Sequence, residues 1–243
     1  MMAKGAFKRI ALICAVNQEC DRIVQSLKWL STEKRGPTVI YKGRYSGRII
    51  NVFVSGPGKT NASSATTMAA LLYRPELIIN LGIAGAYPGC GLDVGGLALC
   101  TEDIYAEEGV LTKRGFKGLK EISLCLLPEQ GIYNRIPFDR PLTMRAKGLL
   151  TSMGHDVRMG RFLTVSTVTG STDRAEELKR RFKPLCETME GAAVGHIALA
   201  FSLPALQIRG ISNRVENRNR RKWKIKEAAL HCQSAVLELL KVL

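Results

Sequence analysis

Residues 10–16 of this chain form a short unbroken apolar run, and residues 77–82 and 205–212 are further short, mostly apolar stretches. A strand that is apolar on both faces must be covered on both faces, so these runs predict a central sheet between two layers of helices. Helical patterns stand between them. Residues 61–73 are rich in Ala and Thr and end near Pro75. Residues 173–182 are amphipathic, with Ser171, Thr172 and Asp173 as N-cap candidates. Residues 191–201 form a small-residue helix stopped by Pro204, and residues 225–243 form an amphipathic terminal one. The alternation predicts an α/β fold. Residues 38–42 and 48–55 read as strands flanking a hairpin turn at 43–47. Residues 96–101 and 161–168 read as further strands, the first reached through a loop rich in glycine. Residues 103–140, with scattered Gly and Pro, read as an irregular surface excursion. No repeat, low-complexity stretch or linker interrupts the chain, and 243 residues suit one domain spanning 1–243.

Several classes are excluded early. Lys4, Lys8 and Arg9 precede the first apolar run as in a signal peptide. Polar Asn17-Gln18-Glu19 follows where a small-residue cleavage site belongs, and Ile13 is too bulky for a lipoprotein site before Cys14, so the run reads as a buried first strand. No apolar run approaches the length of about 20 residues that a membrane helix needs. The seven cysteines lie mostly in apolar segments and form no CxxC pair, the usage of a cytoplasmic protein with reduced thiols. His155, His196 and His231 lack metal-ligand spacing, so neither a metal nor a cofactor is expected. The net charge of +15 raises nucleic acid as a partner. The basic residues gather at 174–183 and 209–226 without interleaved aromatics, as base-stacking platforms would require. A solvated basic face, or a pocket for an acidic small molecule, explains the charge without nucleic acid.

Five segments can carry chemistry. Gly56-Pro57-Gly58-Lys59-Thr60 fails the phosphate-loop pattern, which needs Gly at the position of Phe53; a strand, a glycine turn and a helix survive, and Lys59 reads as structural. Asn80-Leu81-Gly82-Ile83-Ala84-Gly85-Ala86 reads as a glycine-rich turn after a buried strand, suited to tight packing or to close approach of a ligand. Glu19, just past the first strand, either starts a helix or points into the same crevice. Glu190, within Glu187-Thr188-Met189-Glu190-Gly191-Ala192-Ala193, is either a helix cap or an acceptor for paired ribose hydroxyls, because its burial without partners is costly. Arg209-Gly210-Ile211-Ser212-Asn213 brings a cation and an amide to the end of a strand, followed by a basic run that contains Trp223.

Taken in this order, a first-strand Glu, SGxGK, GxAG, MEGAA and RxIS followed by an acid or amide, these segments resemble the nucleoside phosphorylase/nucleosidase family across most of the chain. The resemblance implies a three-layer α/β/α sandwich around a mixed sheet. It also implies a homodimer or higher homo-oligomer, and cleavage of the N-glycosidic bond of a small-molecule purine nucleoside. In that family's terms Glu19 activates water, Glu190 binds the ribose hydroxyls, Met189 packs beneath the sugar and Arg209 helps place Glu19 and the water. Asn213 contacts the departing base, and Ile83, Ala84, Gly85, Val168 and Thr169 line the pocket. Adenine-releasing members carry a hydroxyl residue where this chain has Ile83, and Asp where it has Asn213. A neutral Asn offers an N–H to a 6-oxo group and a carbonyl to an N7–H, which complements a hypoxanthine-type base.

Overall fold

The computed structural model describes residues 7–243; Lys4 of the amino-terminal basic group lies outside them. In chain order the strands are β1 (Arg9–Cys14), β2 (Lys28–Arg35), β3 (Thr38–Tyr45), β4 (Arg48–Val54), β5 (Leu77–Ala86), β6 (Leu97–Tyr105), β7 (Gly109–Thr112), β8 (Gly115–Gly118), β9 (Arg135–Pro137), β10 (Val157–Thr164), β11 (Cys186–Thr188) and β12 (Ala205–Arg214). The helices are α1 (Asp21–Ser26), α2 (Lys59–Met68), α3 (Arg140–Ser152), α4 (Thr172–Phe182), α5 (Gly191–Ala200) and α6 (Ile225–Val242). All strands but β7 and β8 join one mixed sheet, in the order β11-β10-β6-β12-β5-β1-β4-β3-β2, with β9 added against β6. Its centre, β4-β1-β5-β12, is parallel.

Along β1 the side chains alternate between two cores. Ile10 and Leu12 pack with α3 and α6 through Leu142, Ala146, Val236 and Leu240. Ala11 and Ile13 pack on the other face with Ala62 and Ala65 of α2 and Ala192 and Ala193 of α5. This is the three-layer sandwich that the doubly apolar strands predict. The small residues of α2 and α5 bring those two helices against each other and against the sheet. At the other end the sheet curls. β11 pairs antiparallel with β5 through Cys186↔Ala86 and Glu187↔Gly85, so β5, β12, β6, β10 and β11 close into a ring.

Four sequence expectations are corrected. The glycine-rich stretch 80–86 is not a turn but the second half of β5, paired along its length with β12 and, at Gly85 and Ala86, with β11 on the other edge. The hairpin turn is confined to Ser46 and Gly47, both at positive φ, as a two-residue turn between twisted strands requires. The strand placed at 161–168 starts and stops earlier, leaving Val168 and Thr169 in a loop. The segment 103–140 is more than a surface excursion: it holds the end of β6, the β7–β8 hairpin and β9, and Asp103 within it is fully buried.

Asp103 is the polar centre of the ring. Its Oδ2 accepts from Gln207 Nε2 and its Oδ1 from Thr164 Oγ1, both at 2.9 Å, and Thr164 Oγ1 accepts from Ala192 N at 2.7 Å. Burial pushes the Asp103 carboxyl up from 3.8 to about 6, with the bonds from Gln207 and Thr164 and the charge of Arg209 opposing the shift. A native carboxyl that keeps its proton to higher pH than the unfolded one binds more protons through that window, so stability falls as pH rises across it. Asn at this position mimics the protonated acid. Asp103→Asn is therefore expected to gain on the wild type between pH 4 and pH 7, by about 2 kcal/mol, measured as the difference between urea unfolding free energies at the two pH values.

Candidate active site

The carboxyl ends of β1, β5 and β12, together with β11 and the turn that follows it, converge on a cavity of about 210 Å³. Nine residues singled out from sequence line it: Glu19, Ile83, Ala84, Gly85, Val168, Thr169, Met189, Glu190 and Asn213. Arg209 does not; it lies one layer behind, 1% exposed, within the sheet.

Glu19 ends a single 3-10 turn after β1. Its Oε2 accepts from the Ala15 and Val16 amides at 2.9 and 3.4 Å, closing that turn, and its Oε1 accepts from the Ile83 amide of β5 at 2.9 Å. It is at once a local turn-closing acid and a carboxylate fixed in the crevice. Burial raises its proton affinity, and the nearby Arg209 charge and the Ile83 bond lower it. Arg209 Nη1 donates to Leu81 O at 3.1 Å and Nη2 bonds Asn80 Oδ1, while Asn80 Nδ2 donates to Ile13 O at 2.9 Å. Its Nε has no protein partner. The guanidinium is thus anchored to the backbone of β1 and β5, directly beneath the carboxylate it influences.

Gly82 makes that stacking possible. A β-carbon there would overlap both Glu19 Oε1 and Arg209 Nη1, so the two charged groups approach across a residue that has no side chain.

Glu190 occupies the N-cap position of α5, but its side chain makes no capping bond. Oε1 accepts from Gly58 N at 2.9 Å and Oε2 from Met189 N at 3.3 Å. The glycine turn of the failed phosphate motif therefore reaches the site through its backbone. Lys59 instead pairs with Glu108 and stands 5.7 Å over the Tyr105 ring, in the structural role the sequence suggests. Asn213 Oδ1 accepts from Ser212 Oγ at 2.8 Å and Nδ2 donates to the Arg214 carbonyl at 2.9 Å. The carbonyl can only accept, so these contacts fix which end of the amide is which.

Ala15, Val165, Glu187, Thr188, Ser212 and Trp223 also line the cavity. Glu187 and Trp223 stood inside segments noted from sequence, yet nothing in the sequence alone marks the closure of β11 onto β5 that brings Glu187 inward. Arg218 and Arg220 lie over the Trp223 ring at 5.3 and 5.9 Å, whereas Arg214 is engaged by Asp93 at 2.7 Å. Among the described residues no three His, Cys, Asp or Glu side chains gather as metal ligands, and no helix is long and apolar enough to cross a membrane.

A desolvated carboxylate over a buried guanidinium, with a second carboxylate lining the same cavity at the carboxyl edge of a mixed sheet, marks this crevice as the candidate active site of an α/β protein. The chain matches the model of the Phosphorylase superfamily over residues 9–243 and belongs to that family. It is 34% identical over 186 residues to futalosine hydrolase of Thermus thermophilus, covering 76% of this chain and 79% of the relative. It is 27% identical over 206 residues to the 5′-methylthioadenosine/S-adenosylhomocysteine nucleosidase of Actinobacillus succinogenes, covering 84% of this chain and 85% of the relative. The structure of the nucleosidase of that name from Neisseria meningitidis, in complex with methylthio-immucillin-A, superposes with a TM-score of 0.86 at 24% identity over 97% of this chain and all of that one. The chain is an enzyme of the nucleosidase kind, with the family's fold.

Gly82→Ala is expected to leave a cooperative unfolding transition and to lower kcat/KM for base release at least about 100-fold, because the added β-carbon pushes Glu19 and Arg209 from their places at the cavity. Steady-state kinetics beside a thermal melt would check both halves.

Proposed function

We propose that the enzyme hydrolyses the N-glycosidic bond of futalosine, releasing hypoxanthine and dehypoxanthine futalosine on a cytoplasmic route to menaquinone. The observation that carries this reading is Asn213 at the cavity wall. With one Nδ2 hydrogen given to Arg214 O and one Oδ1 lone pair to Ser212 Oγ, the amide keeps one donor and one acceptor. These match O6 and a protonated N7 of hypoxanthine. The identity to a named futalosine hydrolase supports the same choice, and seven free cysteines suit a reducing compartment.

In this mechanism the C1′–N9 bond lengthens as positive charge grows on the ribose. The base leaves with a proton that N7 takes from solvent and that Asn213 stabilises by accepting the N7–H hydrogen bond. Water attacks C1′ and passes a proton to Glu19, whose proton affinity burial has raised toward the range useful for a general base. Glu19 later returns that proton to solvent. Glu190 accepts from the ribose 2′ and 3′ hydroxyls, Met189 supports the sugar from below, and Arg209 holds Glu19 in place. Hydrolysis is favoured over phosphorolysis because Glu19 stands at the first-strand loop, where a phosphorylase needs cations for phosphate. Trp223, with Arg218 and Arg220 over its ring, lies beside the cavity and gives a carboxylate on the 5′ side of the nucleoside a cationic neighbour.

A second reading, an adenine-releasing nucleosidase, is favoured by the methylthioadenosine/S-adenosylhomocysteine nucleosidase among the relatives. Futalosine, inosine and methylthioadenosine offered separately without phosphate distinguish the two. Hypoxanthine from futalosine is expected, adenine release in preference supports the second reading, and a requirement for phosphate would make the enzyme a phosphorylase.

Asn213→Asp is expected to move the kcat/KM ratio of futalosine to its 6-amino analogue, aminodeoxyfutalosine, toward the 6-amino compound by roughly 5- to 150-fold, the cost of a mismatched buried hydrogen bond. An unchanged ratio would mean that Asn213 does not read the base. Arg218→Ala or Arg220→Ala is expected to raise KM for futalosine and leave inosine, which has no such carboxylate, unaffected; Arg214→Ala, already engaged by Asp93, is expected to change neither.

A further inference from the structure

Glu187 has no part in the mechanism above, yet it is a carboxylate only 5% exposed that borders the cavity. Its position follows from ring closure. Gly85 of β5 pairs with Glu187 of β11 on one side and with Asn213 of β12 on the other. Residues aligned across neighbouring strands project to the same face, and two strand spacings separate them by roughly 10 Å. Glu187 and Asn213 therefore rise on either side of a residue with no side chain. A β-carbon on Gly85 would already press on Asn213 Nδ2 at 3.0 Å. The Val215 methyl is equally near that position, so the space directly over Gly85 is filled, and the amide and the carboxylate flank the cavity on either side of it.

The carboxylate is held by three donors. Oε2 accepts from Tyr87 Oη at 2.7 Å and Thr169 Oγ1 at 2.6 Å, which uses both of its in-plane lone pairs. Oε1 accepts only from Thr169 N at 3.0 Å, so it retains one acceptor position. A group in this state offers a ligand acceptance and no donation. The rings that nucleosidases release differ on this point. A 6-oxopurine carries a hydrogen on N1, while a 6-aminopurine presents a bare lone pair there.

We infer that Glu187 is a second specificity-determining residue, whose Oε1 accepts the N1–H of a 6-oxopurine and repels the N1 lone pair of a 6-aminopurine. This rests on the reading of the substrate as a 6-oxopurine nucleoside. Recognition is then divided across the cavity, with Asn213 reading the O6/N7 edge and Glu187 reading N1. Tyr87 and Thr169 act as positioning residues that aim the carboxylate. A clamp between β11 and the loop carrying Thr169 could be made without Oε1, whereas Glu187 keeps an acceptor position there that the protein leaves unused at the edge of the cavity.

The test compares Glu187→Gln with the wild type on inosine and on purine riboside, which lacks the 6-oxo group and keeps N1 bare; the missing O6 contact is common to both enzymes, so the change in the ratio between them reports on N1. Gln is isosteric and can turn its amide donor toward N1. The inosine-to-purine-riboside ratio of kcat/KM is expected to fall at least about tenfold. Tyr87→Phe, which loosens the clamp and keeps the carboxylate, is expected to lower both rates together and leave the ratio unchanged. Should the Gln variant be too slow to assay, calorimetric titration with hypoxanthine and with purine as free bases reads the same preference. A wild type selective for 6-oxopurines whose ratio is unmoved by Glu187→Gln would overturn this inference alone, leaving Glu187 a structural clamp. A wild type that prefers 6-amino nucleosides would overturn the functional reading and this inference with it.

Discussion

A guanidinium buried inside a sheet is an expensive group, and much of this molecule is arranged around one. Arg209 is almost wholly enclosed, and an uncompensated charge there would be strongly destabilising. Compensation comes from the Asn80 carbonyl oxygen, from the backbone of Leu81 and from the field of Glu19 across Gly82. The same arrangement fixes Glu19, because the carboxylate that balances the arginine must sit at the top of β5 and be held there by the Ile83 amide. Stability and site geometry thus share one set of contacts. That sharing explains why a strand, rather than a flexible loop, carries the glycine-rich sequence: pairing with β12 on one edge holds Gly82 between the two charges and leaves the Ile83 amide on the other edge free to bond Glu19.

Much of the sandwich was legible because its strands are apolar on both faces and its covering helices are made of small residues. Nine of the ten residues proposed for the site border one cavity, since each lies at or just beyond a strand end and strand ends converge in a sheet of this kind. What the sequence concealed was longer in range. Residues 80–86 have the composition of a turn, and only pairing with β11 and β12 keeps them extended. Asp103 sits in a stretch of mixed polarity that reads as surface; its burial depends on Gln207 and Thr164, each far away along the chain. Glu187 lies two residues before Met189, and its neighbour Gly85 is about a hundred positions earlier. Local periodicity carries no trace of such contacts.

The two carboxylates of the EtmE segment show how little sequence distance matters to role. Glu187 belongs to β11 and bonds Tyr87 and Thr169. Glu190 lies past the strand and bonds the Gly58 amide, from a turn on the opposite side of the site. Three residues apart, they meet different parts of the cavity because the chain leaves the sheet between them and starts α5.

Ring closure also decides which edges of the sheet are left open. β11 is bonded on both sides, so the curled end of the sheet offers little open backbone. The outer strands that remain are β9, only three residues long and ending in Pro137, and β2 at the far end. β2 carries Lys28, Glu33, Lys34 and Arg35, most of it exposed. Charged side chains and proline are the devices that discourage strand-to-strand association between molecules. Of these two edges β2, with eight residues, is the one with room for a further strand, and Trp29 and Leu30 stand exposed on it beside the charges.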